Sequence, residues 1–188
     1  MTSIDSQIGT LYLDDAHHSF LQYKRLAERA FAQLQPGDWF TCLDPEANSI
    51  ALIVKHLSGN MHSRFTDFLT TDGEKPDRNR DQEFILDTST TPEQVLAWWE
   101  SGWNCVFAAL GALKPEDLLR TVSIRGQQYT VLRAINRQLL HYPHHIGQIV
   151  FLAKHFRGKE WKSLSIPKGQ SATMGVQAEL AHYQRPAK

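Results

Sequence analysis

The chain has 188 residues, room for one domain with a substantial core, and its 20 acidic side chains balance 20 basic ones. That balance leaves no broad positive field to neutralise phosphates, so no nucleic-acid partner is expected. The opening MTSIDSQIGTLYLDD lacks the basic and apolar regions of a secretory signal and no apolar run reaches bilayer-spanning length, so a cytoplasmic protein with no membrane partner is expected.

Residues 9 to 34 repeat apolar side chains at helical spacing through Leu13, Ala16, Phe20, Tyr23, Ala27, Ala30 and Leu34, with charges between them. Pro36 and Gly37 then end this first helix. His17 and His18 ride on it and read as solvated or capped histidines. Cys42 follows in the loop; it and Cys105 are too few and too far apart for a disulfide framework or a thiolate zinc site.

A second helix is expected from Asn48 or Ser49, either of which can cap it, to about Leu69. Its apolar face passes through Ile50, Ile53, Leu57, Met61, Phe65 and Phe68. His56 and Asn60, one turn apart, form a polar ridge beside that face. Gly59 costs a helix about 1 kcal/mol against alanine, which points to close packing or a nearby ligand.

From Thr70 to Thr91 the periodicity vanishes over a stretch longer than most connections within a compact domain. In a helical bundle its simplest task is a crossover that lets the second and third helices run in the same direction. A second reading has Arg78, Arg80 and Asp81 reaching the mouth of a site to bind an anionic group. The third helix has Thr91 as its cap, Pro92 at its first position and Glu93 in its first turn. Val95, Trp98, Trp99, Trp103, Val106, Phe107 and Leu110 give it a heavy apolar stripe, read as core or dimer interface. It ends before LKPEDL, and RTVSIRGQQYTV reads as a small hairpin turning at Arg125 and Gly126.

The last helix, from about Thr130 to Phe156, carries a histidine cluster. His141 and His145 share a helical face and can hold one divalent ion, with His144 as a spare and His56 as the best third ligand from elsewhere. Pro143 lies between them, and a helix-breaking residue there predicts a kink that could bring in His144 instead of His141 or His145. Residues 158 to 188, punctuated by Gly, Pro and Ser, read as an extended arm docked through Trp161, Leu164 and Ile166. The whole chain is then a single domain, with the bundle over about 9–157 and the arm over about 158–188.

A histidine on the second helix within VKHLSGNMHSRFTDFL, a later HYPHHIGQI and the segment WKSLSIPKGQS together resemble the DinB/YfiT-like superfamily of metal-dependent enzymes, in a branch known only as a domain of unknown function. The resemblance covers most of the chain. It implies an all-α, up-down-down-up four-helix bundle, often a homodimer, with zinc or nickel held by His56, His141 and His145. It also implies thiol-dependent chemistry, since characterised members are S-transferases for low-molecular-weight thiols or a thiol-dependent isomerase. Three neutral imidazoles leave an open coordination position, so a thiol S-transferase or a hydrolase acting on a small molecule is expected. Asn60 and Gln148, each near a proposed ligand, would orient a water or substrate, or only satisfy imidazole or backbone groups. The contrasting reading is a non-catalytic metal-binding or structural bundle.

Overall fold

The structure, a computed structural model, describes residues 3–173. Side chains fix where the second, third and fourth helices begin. Ser49 accepts the Leu52 amide at 3.3 Å to start α2 (Ile50–Phe65), Thr91 accepts that of Gln94 at 3.4 Å to start α3 (Pro92–Ala112), and Thr130 accepts that of Arg133 at 3.2 Å to start α4 (Val131–Arg157). The first helix, α1, covers Ser3–Phe31 and so begins earlier than its apolar period predicts. Its first turns are mostly exposed, which leaves no stripe to read, although Gly9 is buried where a Cβ would stand 2.7 Å from that of Pro115.

The second helix ends at Phe65, a turn short of the expected Leu69, because Thr66 is extended and Asp67 takes a left-handed φ of 48°. Phe68 still packs on the core from the following turn, its ring 5.2 Å from that of Phe65. The proline expected to disturb α4 lies inside an uninterrupted helix. Gly158, with a φ of 51°, ends it.

Between α3 and α4 stands a two-stranded antiparallel hairpin, β1 (Thr121–Ile124) and β2 (Gln127–Thr130), paired from Thr121 opposite Thr130 to Ile124 opposite Gln127. Its two turn residues, Arg125 at φ 56° and Gly126 at φ 72°, are both left-handed, the geometry that matches strand twist in a tight hairpin.

The core lies between the four helices around Phe20, Trp99, Trp103 and Tyr142, all fully buried. Ring centroids of Phe20, Trp103 and Tyr142 stand 5.7 to 6.0 Å apart, within the range where aromatic pairs attract beyond their buried area. Trp98 is only half-buried and lies under the Lys55 ammonium. Polar contacts record how the helices meet. Ser58 of α2 donates to the Trp98 carbonyl at 2.8 Å, and His62 meets Ser101 at 2.9 Å. Lys24 of α1 pairs with Glu100 of α3 at 2.8 Å, and the Tyr12 hydroxyl lies 2.8 Å from Asn136 Oδ1 of α4.

The long connection between α2 and α3 is ordered by its own acids. Asp72 accepts the Ser123 hydroxyl at 2.5 Å and the amides of Glu74, Arg125 and Gly126 at 2.7, 2.8 and 2.9 Å, which ties the connection to the hairpin. A short helical turn, Asp81–Phe84, then carries Glu83 onto α2. Past α4, Leu164 is buried and Trp161 and Ile166 are half-buried, as docking of the arm requires; its part beyond residue 173 lies outside the described residues. No helix among the described residues is long and apolar enough to cross a membrane.

Candidate metal centre

Two helices bring three imidazoles to one point. His141 and His145, a turn apart on α4, face each other with their Nε2 atoms 3.2 Å apart. His56 of α2 stands over both, its ring centroid 5.6 Å from that of His141 and 5.0 Å from that of His145. One ring nitrogen from each of the three lies within 4.8 Å of the others. Ligand atoms of a tetrahedral zinc with bonds near 2.0–2.1 Å stand roughly 3.3 Å from one another, so the His141–His145 separation already fits a shared ion.

Hydrogen-bond partners select the tautomers. Glu83 Oε2 lies 2.8 Å from His56 Nδ1, and a carboxylate only accepts, so His56 carries its proton on Nδ1 and turns the lone pair of Nε2 outward. Gln148 Oε1 lies 2.9 Å from His145 Nδ1 and does the same for that ring. His141 Nδ1 is buried without a partner. A carboxylate or amide oxygen behind a ligating imidazole is the usual outer support of a metal site, because it fixes the ring and raises its basicity.

Behind Glu83 stands an ion pair. Arg78 donates through Nε at 2.7 Å to Oε1 and through Nη2 at 3.0 Å to Oε2, a two-pronged grip on a carboxylate that also receives His56. Burial raises the affinity of Glu83 for a proton, and the bonds from His56 and Arg78 outweigh it, holding the carboxyl below its usual range. The Phe84 ring stacks on His56 with centroids 5.0 Å apart. Gly59 lies against the same carboxylate: a Cβ there would stand 2.5 Å from Glu83 Oε1.

Electrostatics keep the two imidazoles of α4 in the form that binds metals. Burial, followed by the neighbouring His145 and His56, lowers His141 to about 3. Burial also lowers His145, against the pull of Gln148. Both rings are therefore neutral at pH 7, as ligation demands.

The remaining expected site residues fall as follows. His144 is exposed, outside the triad, with Nε2 3.5 Å from Gln148 Nε2. Asn60 accepts from the Tyr142 hydroxyl at 3.3 Å, so it anchors a core residue, while Gln148 orients a ligand candidate. Arg78 does not stand at the mouth of the site, since its side chain is buried against Glu83 and Glu74. Arg80 does border a cavity beside His141, and Asp81 is exposed at the start of the helical turn. His17 packs on Phe107 and His18 lies 3.1 Å from Gln22, both outside the triad. Cys42 and Cys105 are free thiols. The sequence reading missed Glu83, which sits in an aperiodic stretch; the glycine at 59 was the one hint of something pressed against α2.

Fold and site together define a mainly helical protein with a candidate three-histidine centre. The chain belongs to the family described as Protein of unknown function (DUF1572), whose model matches residues 7–170. Comparison with curated proteins and with solved structures returned no match.

Proposed function

We propose that this protein is a metal-dependent enzyme, using His56, His141 and His145 to hold zinc or nickel, and acting as a thiol S-transferase or a hydrolase on a small molecule. The observation that carries this reading is the convergence of three ring nitrogens within 4.8 Å, one of them backed by a buried Glu83 that is itself clamped by Arg78. A purely structural bundle has no need to bury a charged relay behind a histidine, because desolvating an ion pair returns little net stability.

A divalent ion in this setting supplies Lewis acidity, enough to activate a water or a thiol as nucleophile. The chain's own groups do the rest. Glu83 and Gln148 hold two imidazoles in the ligating tautomer, Phe84 stacks on the His56 ring, and the half-buried His141 and His145 leave an approach from solvent. Three protein ligands leave a coordination position for the reactant, as catalytic sites do.

The reading extends to kinship with the DinB/YfiT-like superfamily, an up-down-down-up bundle, a homodimer and a cytoplasmic location. Residue pairs support that topology: 58 with 98 and 62 with 101 favour α2 and α3 running in parallel, and 24 with 100 and 17 with 107 favour α1 and α3 running antiparallel. The test is metal content of tag-free protein, followed by thiol-transfer and esterase assays with and without chelator. A stoichiometric ion lost in His56→Ala and His145→Ala variants, with chelator-sensitive turnover, is expected; folded protein that takes up no ion would overturn the reading in favour of a non-catalytic bundle.

A further inference from the structure

A cavity of about 630 Å3 opens beside His141, and five arginines border it: Arg64, Arg80, Arg125, Arg133 and Arg137, with no aspartate or glutamate in its lining. Two of the five are already paired, since Arg64 and Arg125 each reach Glu74 at 3.0 Å. Arg80, Arg133 and Arg137 have no carboxylate partner among the described residues. Arg133 and Arg137 instead lie over the Tyr129 ring at 5.5 and 6.0 Å, which props both guanidiniums on the cavity's edge. Like charges gathered without counter-charge repel one another, and a bound anion relieves that repulsion.

The lining also holds buried polar atoms with nothing to bond. Arg64 Nε is a donor without an acceptor, and Gln138 Oε1 is an acceptor without a donor, although both residues are almost wholly buried. His141 Nδ1 is a third such atom on the same wall. Residues 133, 137, 141 and 145 are spaced by four, so α4 presents two guanidiniums and two imidazoles in one column. At 1.5 Å per residue, Arg137 and Arg133 stand about 6 and 12 Å along the helix from His141.

We propose that this cavity is the substrate pocket, and that the substrate is a small molecule bearing a terminal oxyanion, a phosphate ester or carboxylate, about 6 to 12 Å from its reacting centre. The position of that reacting centre rests on the three-histidine reading; the oxyanion pocket does not. Planar guanidiniums match the paired oxygens of such groups. The volume is that of a small-molecule site, and the basic groups line a concavity instead of spreading over a face as a nucleic-acid surface would.

Calorimetric titration of pyrophosphate and of succinate into chelator-treated full-length protein tests the pocket and separates the two kinds of oxyanion. At least one is expected to bind, more weakly as salt rises, and the Arg133→Gln/Arg137→Gln double variant should weaken it about tenfold or more, the scale of a lost charge-assisted hydrogen bond. Both side chains are exposed, so the variant folds, and Lys159→Gln serves as the neutral control. Absence of binding by both anions, an unchanged affinity in the double variant, or displacement of the anion by a DNA duplex would overturn the proposal. The spacing is tested by titrating ω-mercaptoalkanoates of increasing length into zinc-loaded protein. An optimum length that disappears in the double variant is expected, and equal affinity at all lengths would overturn it. If zinc itself fails to bind, the metal reading and the spacing fall together, while the pyrophosphate arm still decides the pocket.

Discussion

Gly59 and Glu83 compete for the same few ångströms. The carboxylate cannot swing aside to admit a methyl group, because His56 and Arg78 hold both of its oxygens. Gly59→Ala should therefore destabilise the fold by about 1 to 3 kcal/mol, the usual cost of overpacking, despite the better helix propensity of alanine. Thermal melts of the variant check this, and an unchanged midpoint would show that Glu83 is free to move. Glu83→Gln keeps the shape and removes the charge behind His56. It should weaken zinc binding about 10- to 100-fold, read by competition with a chromophoric chelator, and lower the melting temperature as well, because buried Arg78 loses the carboxylate that grips it. The three histidines were legible because two of them share a helical face and the third sits on a polar ridge. Glu83 and Arg78 were not, since their pairing spans an aperiodic stretch and arises only once that stretch folds back on α2.

Pro143 occupies an interior position of α4, where it removes one backbone hydrogen bond to residue 139, and the helix nonetheless runs unbroken over its 27 residues. The packing of Tyr142 and Ile146 into the core, both fully buried, holds the chain helical on either side. Restoring the amide in Pro143→Ala should raise the melting temperature while leaving zinc stoichiometry intact; loss of the ion in this variant would mean that the proline sets the ligands' facing. Asp72 governs a different element, since it accepts one hydroxyl and three amides from the crossover and hairpin. Asp72→Ala should cost about 1 to 2 kcal/mol in urea melts and loosen amide exchange at Arg125 and Gly126. The starts of α2, α3 and α4 and the hairpin were readable because caps, prolines and turn residues act locally. The early start of α1, the early end of α2 and the ordering of the crossover were not, because exposed turns lack a stripe and acid-to-amide bonds have no period.

Across the whole molecule, ionisation makes the fold sensitive to acid in two steps. Burial lowers His141 and His145, so the unfolded chain takes up protons there before the folded one does. Stability should begin to fall as pH drops below about 6.5, the unfolded histidine value. Asp72, Glu74 and Glu83 follow: burial opposes their ionisation, but hydrogen bonds and arginines outweigh it and leave each below its ordinary range. Their stabilisation is present above about 4, the unfolded carboxylate range, and is lost as pH falls through the lower folded values. Denaturant midpoints measured at pH 7.5, 5.5 and 3 should decline in that order, with zinc steepening the first step because bound imidazoles must give up the ion to take a proton.

The link between residues 56 and 83 makes the α2–α3 connection a structural member of the candidate centre and not a flap over it. Its near end is fastened to the hairpin through Asp72, and its middle is fastened to α2 through Glu83. Swinging it open would strip a ligand candidate of its support, so under the proposed function reactants would come and go along α4, past the arginines. If the centre holds zinc as proposed, a protease nick in this segment would accordingly announce itself as a looser grip on that ion while the helices stayed folded.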